Sequence, residues 1–81
     1  MKRFVSLGDT VWWIEINGFC GSSPIYTIHT GYYLASYKLD GKTINIVIRN
    51  ITSLVVKHLY DNEIFYDEEQ AKKRLRELQN G

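Results

Sequence analysis

The fold is decided by residues 32–49, which form the run YYLASYKLDGKTINIVIR. Asp40 and Gly41 stand between two apolar, β-rich segments of this run. An Asp-Gly pair in that position favours a type I′ turn, in which both central residues have positive φ. A two-residue turn joins one strand over 32–39 to a second over 42–49, so we predict a β-hairpin here.

The turn also sets the register of the hairpin. It pairs Leu39 with Lys42, Tyr37 with Ile44, Ala35 with Ile46, and Tyr33 with Ile48. These residues share one almost wholly apolar face, and a slip by one residue would expose its isoleucines. We therefore expect this face to be buried. The opposite face carries Tyr32, Leu34, Ser36, Lys38, Thr43, Asn45, Val47 and Arg49.

Further strands are predicted wherever short β-branched and aromatic runs lie between turn residues. These runs cover residues 10–16, 25–30, 54–60 and 63–66. A glycine at position 31 is expected to break or bulge the chain, with a loop over 17–24 and a polar corner over 50–53. Five or six strands at a spacing of about ten residues predict a small curled antiparallel sheet or barrel.

Side chains alternate between faces along the first predicted strand. One consistent set, which we expect to point inward, is Trp12, Ile14 and Ile16. The other set, Val11, Trp13 and Glu15, then falls on the outward side. The two tryptophans therefore cannot share an environment.

The chain changes its hydrophobic period after residue 66. Asp67 is a good N-cap residue for a helix over 68–79. Ala71, Leu75 and Leu78 follow at helical spacing and form a narrow apolar stripe that must lie on the sheet. The sequence predicts one mainly β domain over residues 1–81 with a single C-terminal helix.

Composition narrows the range of functions. The formal net charge is +1, from ten Lys and Arg against nine Asp and Glu, so steering of the whole molecule toward a polyanion is not expected. Cys20 is the single cysteine, which precludes an intrachain disulfide and suits a reducing cytoplasm. No apolar run approaches the roughly 20 residues of a membrane-spanning helix. We expect a cytoplasmic protein without a membrane partner.

Residue patterns for catalysis are weak. His29 and His58 fall on different predicted strands, and neither has a Cys, Asp or Glu at metal-ligand spacing. Cys20 lacks a neighbouring base that would activate it as a nucleophile. The glycines are scattered singly at turns, so there is no glycine-rich phosphate loop. We expect neither enzymatic activity nor a metal or cofactor.

Aromatic residues make up 14% of the chain, and exposed aromatic side chains are candidates for binding a partner. The candidate partner-binding residues, predicted on the less obviously buried side of their strands, are Trp13, Tyr32, Leu34, Val47 and Arg49. Aromatic rings beside an arginine are typical of protein-interface hot spots, and they also suit stacking of single-stranded bases. The structural alternative is that these side chains belong to the core.

Both ends of the chain carry a family resemblance. Residues 8–14, GDTVWWI, and 64–71, IFYDEEQA, resemble a group of small bacterial, prophage and mobile-element proteins. That group pairs a GDxVYxI-type first strand with a closing VFxTxEEAxxxL segment, and Asp67 stands where its members usually have Thr. The resemblance implies a Src-homology-3-like barrel with a C-terminal helix. Small proteins from such elements include inhibitors of bacterial defence nucleases, such as anti-CRISPR proteins.

Three functional hypotheses follow. The leading one is a non-enzymatic protein-binding module, in its narrowest form a phage-encoded inhibitor of a host defence nuclease. The second is a small nucleic-acid-binding barrel, with its cations near Tyr32 and Tyr37. Those cations are Lys38, Lys42, Arg49 and Lys57. The third is a self-associating subunit that forms a homodimer through an edge strand or the Trp13 face.

Overall fold

A curled antiparallel sheet and one C-terminal helix make up the part of the chain that the computed structural model describes, residues 6–49 and 55–80. The sheet is open, and its five strands lie in the order β4-β3-β2-β1-β5. The elements are β1 (Thr10–Cys20), β2 (Ser23–Leu39), β3 (Lys42–Ile48), β4 (Val56–Tyr60), a 3₁₀ turn (Asp61–Glu63), β5 (Ile64–Phe65) and α1 (Glu68–Asn80). The predicted fold class is confirmed.

The central hairpin forms as predicted, except that its register shifts by one residue near the end of the hairpin. Asp40 and Gly41 have φ of 52° and 79°, as a type I′ turn requires. The pairs of Leu39 with Lys42, Tyr37 with Ile44, and Ala35 with Ile46 are confirmed. Tyr33, however, pairs with Val47 rather than Ile48, because the register shifts between Tyr33 and Ala35. The extra residue in β2 is Leu34.

The core lies on the inner face of the sheet. It is built from Val11, Trp13, Val47, Leu59 and Ile64, with Tyr33 and Tyr66 packed against it. Residues from β4 and β5, at opposite ends of the strand order, can meet in one cluster only if the sheet curls around it. We call this side the inner face and the other side the outer face.

The predicted orientation of β1 is therefore wrong. Val11 and Trp13 are fully buried in the core, whereas Ile16, expected to point inward, is 53% exposed. Trp12 and Ile14 are half-buried on the outer face. The alternation of side chains along β1 allowed either set to be the buried one. The large side chain of Trp13 fills space on the inner face of the curled sheet.

Gly31 does not interrupt β2, which runs through it from residue 23 to 39. A Cβ at this position would overlap the carbonyl oxygen of Ile48 and lie 2.9 Å from Cη2 of Trp13. The glycine is thus required by close packing against β3 and the core. The two strands predicted over 25–30 and 32–39 are one continuous strand.

The loop predicted over 17–24 is a two-stranded ribbon instead. β1 and β2 continue past the rest of the sheet, and Phe19 pairs with Pro24 after a register shift that follows Ile16. Gly18 accommodates this shift with a φ of 116°. Phe19 is 65% exposed near the tip of the ribbon.

The helix follows its prediction closely. The Oδ1 atom of Asp67 accepts a hydrogen bond from the backbone N–H of Glu69 at 3.0 Å, which confirms the N-cap. Ala71 is fully buried, and Leu75 and Leu78 are half-buried, as the stripe requires. The helix packs against β1, β2 and β5. No helix in the described ranges is long and apolar enough to cross a membrane.

The last strands are shorter than predicted. β4 starts at Val56, and the segment predicted over 63–66 contains the end of the 3₁₀ turn followed by β5. The predicted corner over 50–53, together with residue 54, lies outside the described residues.

Candidate functional site

The outer face of β2, β3 and β4 presents an ordered set of apolar and aromatic side chains. Residues directly opposite one another on the three strands form cross-strand rows, because side chains of paired positions share a face. The rows are Tyr37–Ile44–Tyr60, Ala35–Ile46–His58 and Tyr32–Ile48–Val56. We call these nine residues the tyrosine face.

The tyrosine face has a buried centre and exposed margins. Ile44 and Ile48, in the middle strand, are only 5% and 8% exposed, although neither belongs to the inner core cluster. The flanking rings of Tyr32, Tyr37 and Tyr60 are exposed. Scattered exposed apolar residues are normal on a protein, whereas a contiguous exposed set is a candidate contact surface.

Two contacts hold the rings of this face in place. The Tyr37 hydroxyl lies 3.2 Å from Nδ1 of His58, and the two rings meet edge to face with their centroids 6.0 Å apart. The Nζ atom of Lys42 lies 5.6 Å from the centroid of the Tyr60 ring, within the range of a cation–π interaction. Both contacts restrict the positions of the two tyrosine rings.

An open cavity of about 380 Å³ continues the face at one end. It is lined by Lys42, Thr43, Tyr60, Asp61 and Asn62. Since Tyr60 belongs to both features, a partner lying on the tyrosine face could place a side chain in this cavity. None of the nine residues of the face is a carboxylate, and the nearest cation on it is Lys42.

The structure separates the five residues that were predicted to bind a partner. Tyr32 is on the tyrosine face and is 38% exposed, and Arg49 is exposed directly after Ile48. Leu34 is half-buried at the register shift of β2. Trp13 and Val47 are fully buried in the inner core, so the expectation that they lie on an exposed side is wrong.

The predicted set of partner-binding residues omitted Tyr37, Val56, His58 and Tyr60, and Tyr37 was considered only for nucleic-acid binding. The hairpin register had already grouped Tyr37 with the isoleucines on the face expected to be buried. That expectation is confirmed for Ile44 and Ile48 but is wrong for Tyr37, which is 40% exposed. Asn45 shows that the opposite face of the hairpin is buried as well. It is buried on the inner face, where its side-chain amide donates to the Leu59 carbonyl at 3.3 Å and to Oδ1 of Asp61 at 2.8 Å. A polar residue with satisfied hydrogen bonds can line a core.

A second polar arrangement lies on the inner face around Glu15. Its carboxylate accepts a hydrogen bond from Nε1 of Trp13 at 2.5 Å and lies 3.4 Å from Nζ of Lys57. Nε2 of His29 is 3.9 Å from the same carboxylate. Burial by itself raises the pKa of Glu15, but the Trp13 hydrogen bond and the charges of His29 and Lys57 outweigh it. The pKa of this carboxyl is therefore lowered from 4.5.

This arrangement does not have the geometry of a hydrolytic triad. His29 stacks on Trp13, and its Nε2 lies 3.1 Å from the hydroxyl of Thr27. Glu15 approaches that same nitrogen, whereas a triad acid must hold the opposite nitrogen of the imidazole. Across the described residues, no group of three or more His, Cys, Asp or Glu could hold a metal ion. The contacts of Glu15 are those of a structural ion pair.

The four cations of the nucleic-acid hypothesis do not converge on the tyrosine face. Lys42 lies over Tyr60 at its edge. Lys57 is engaged with Glu15 on the inner face. Lys38 pairs with Thr43 one position away from Tyr37, and therefore on the other side of the hairpin.

Comparison with known proteins identifies no relative. A scan of protein-family models gave no match, and neither did searches of curated proteins and of solved structures.

Proposed function

We propose that this chain is a non-enzymatic protein-binding module and that the tyrosine face is its recognition surface. The single observation that carries the proposal is the column of buried and half-buried isoleucines in β3, which is flanked by the exposed rings of Tyr32 and Tyr37 in β2 and by the exposed side chains of β4. Such a surface gives a partner an apolar centre that is surrounded by aromatic rings and excludes water on binding. Residues at such a centre contribute most to the binding free energy of an interface.

The identity of the exposed residues supports this role. Tyrosine buries a large area, has few rotatable bonds, and keeps a hydroxyl for hydrogen bonding, so it loses little conformational entropy on binding. Two of the three tyrosines on the face are further restrained, Tyr37 by His58 and Tyr60 by Lys42. Restraint in the free protein lowers the entropic cost of forming a complex.

The narrower form of the proposal is a phage-encoded inhibitor that occupies the surface of a bacterial defence nuclease in the cytoplasm. Its support is the resemblance of residues 8–14 and 64–71 to small mobile-element proteins. A small module with a preformed apolar surface can inhibit a larger enzyme by covering the site at which its substrate binds, without any chemistry of its own.

The contribution of the tyrosine face is tested by capture of partners from a bacterial lysate with matched variants. The test variant combines Tyr37→Ser with Tyr60→Ser. The control is Phe19→Ser, since Phe19 is at 65% even more exposed but lies on the ribbon, outside this face. We expect a specific partner to be retained by the wild type and the control and lost by the double variant, with all three showing the same urea midpoint.

Retention of the partner by the double variant, or its loss from the Phe19→Ser control alone, would contradict the proposed surface. The narrower form is tested by adding the purified chain to purified defence nucleases and measuring DNA cleavage. A single-stranded oligonucleotide titrated at low salt provides the comparison with nucleic-acid binding. Tight, steeply salt-dependent binding would favour that alternative, whose one specific support is Lys42 beside Tyr60.

A further inference from the structure

The ribbon formed by β1 and β2 contains an asparagine that is followed directly by a glycine. Asn17 and Gly18 lie at the register shift of this ribbon, because Ile16 still pairs with Tyr26 and pairing resumes only at Phe19. Among the described residues, neither Asn17 nor Gly18 has a partner position in β2. Both residues are exposed, so this peptide unit is accessible to water.

An asparagine side chain can react with the backbone of the next residue, because its amide carbon and the following backbone nitrogen can close a five-membered ring. A Cβ on the following residue hinders this approach, and glycine has none. Gly18 has a φ of 116°, and no described atom beyond its chain neighbours lies within 4 Å of the position that a Cβ would take. The space that the ring needs is therefore open.

The contacts of the Asn17 side chain restrain its amide nitrogen and not the carbon that would be attacked. Nδ2 donates to Oγ1 of Thr27 at 2.6 Å and lies 3.5 Å from Nε2 of His29. Both contacts are exposed, so hydrogen bonds to water can replace them. The amide carbon is thus free to approach the backbone nitrogen of Gly18.

We propose that Asn17 and Gly18 form a site of spontaneous deamidation in the folded chain, with water as the only co-reactant. The backbone nitrogen of Gly18 loses its proton to solvent, attacks Cγ of Asn17 and forms a C–N bond. The bond between Cγ and Nδ2 breaks, and Nδ2 takes up a proton and leaves as ammonia. One water molecule then opens the succinimide ring at either of its two carbonyl carbons, which gives aspartate or isoaspartate at position 17.

The modification changes both the charge and the backbone of the ribbon. A carboxylate replaces the amide, so ten acids instead of nine stand against ten Lys and Arg, and the formal net charge falls from +1 to zero. The carboxylate cannot donate to Oγ1 of Thr27 as Nδ2 of Asn17 does. Isoaspartate also adds a methylene to the main chain directly before Gly18, which displaces the exposed Phe19 near the tip of the ribbon. The proposal rests on the ribbon alone and is independent of the tyrosine face.

Two other asparagines of the described residues provide comparisons within the same chain. Asn62 is exposed like Asn17, but it is followed by Glu63, whose side chain hinders ring closure. Asn45 is followed by the β-branched Ile46, and its buried amide donates two hydrogen bonds. We expect Asn45 and Asn62 to keep their amides under conditions in which Asn17 loses its own.

Peptide mass mapping of the folded chain tests the proposal. Trypsin cleaves after Lys and Arg, so each asparagine falls in a peptide of its own, Asn17 within residues 4–38. After incubation of the purified chain in mildly alkaline buffer, this peptide should show the mass shift that replacement of NH₂ by OH produces. It should also elute as two products, one with aspartate and one with isoaspartate. The peptides that contain Asn45 and Asn62 should keep their masses, and a sample digested before incubation is the blank.

Asn17→Gln is the matched variant, because it keeps the amide but would have to close a six-membered ring, and its peptide should stay unchanged. Circular dichroism verifies that the wild type and the variant are folded during the incubation. An unchanged wild-type peptide 4–38 would overturn the proposal, as would a mass shift that appears only when urea unfolds the chain. Aspartate as the single product would indicate direct hydrolysis of the amide and would also overturn it.

Discussion

The Nζ atom of Lys57 lies 3.4 Å from Oε1 of Glu15, although β3 and β2 separate their strands in the sheet. The ion pair thus crosses the inner face and connects β4 to β1. The same carboxylate accepts the indole N–H of Trp13 at 2.5 Å. One side chain therefore contacts both the central core tryptophan and the terminal strand β4.

Removal of this carboxylate should lower stability. In Glu15→Ala the indole N–H of Trp13 loses its acceptor, and an unsatisfied buried donor costs about 1–3 kcal/mol. Glu15→Gln should lose less, because the amide oxygen can still accept that hydrogen bond. The free energy of unfolding in urea measures both changes. Glu77→Gln, which removes an exposed pair with Arg74 at 3.5 Å, is the matched control and should leave the urea midpoint unchanged. Equal loss in Glu15→Ala and Glu77→Gln would contradict the structural role.

Stability should also fall in acid because of Glu15. Burial raises the pKa of its carboxyl, but the Trp13 hydrogen bond and the His29 and Lys57 charges bring it below 4.5. The folded state therefore binds this proton more weakly than the unfolded state does. The resulting stabilisation is fully present above pH 4.5 and is lost as pH falls through the folded-state pKa. Urea midpoints between pH 6 and pH 3 should decline less in Glu15→Gln than in the wild type, and parallel curves would disprove the contribution.

The two adjacent tryptophans should differ in their accessibility to solvent. Trp13 is fully buried, whereas Trp12 is half-buried on the outer face. In Trp12→Phe the remaining tryptophan should fluoresce at shorter wavelength and resist quenching by acrylamide. Trp13→Phe leaves Trp12 as the emitter and should show stronger quenching. The reverse order would mean that the orientation of β1 is the one first expected from the sequence.

The features that local chemistry determines could be predicted from the sequence. The positive φ at Asp40 and Gly41 follows from those two residue types, and the Asp67 cap follows from a carboxylate placed before a helical pattern. Which face of β1 is buried was not determined locally, because both alternating sets contain a tryptophan. That choice depends on how the sheet curls, and the curl depends on residues distant in the chain.

The candidate site was only partly predictable for the same reason. The turn at residue 40 correctly placed Tyr37 opposite Ile44. The wrong step was to expect that whole face to be buried and Val47, on the other face, to be less buried. Nothing in the composition near Leu34 signals a register shift, since the nearest glycine, Gly31, serves close packing instead. The proximity of Lys57 to Glu15 arises entirely from the curl.

The register shift at Leu34 has a consequence for how this surface could change in evolution. Tyr33 and Tyr37 are four positions apart and would share a side in a regular strand, yet Tyr33 packs on the core and Tyr37 faces outward. A one-residue deletion there would rotate the whole distal hairpin by half a turn. The two sets of side chains on the hairpin would then exchange faces together. The number of residues at this one point of β2, more than any substitution, therefore determines which side chains are exposed.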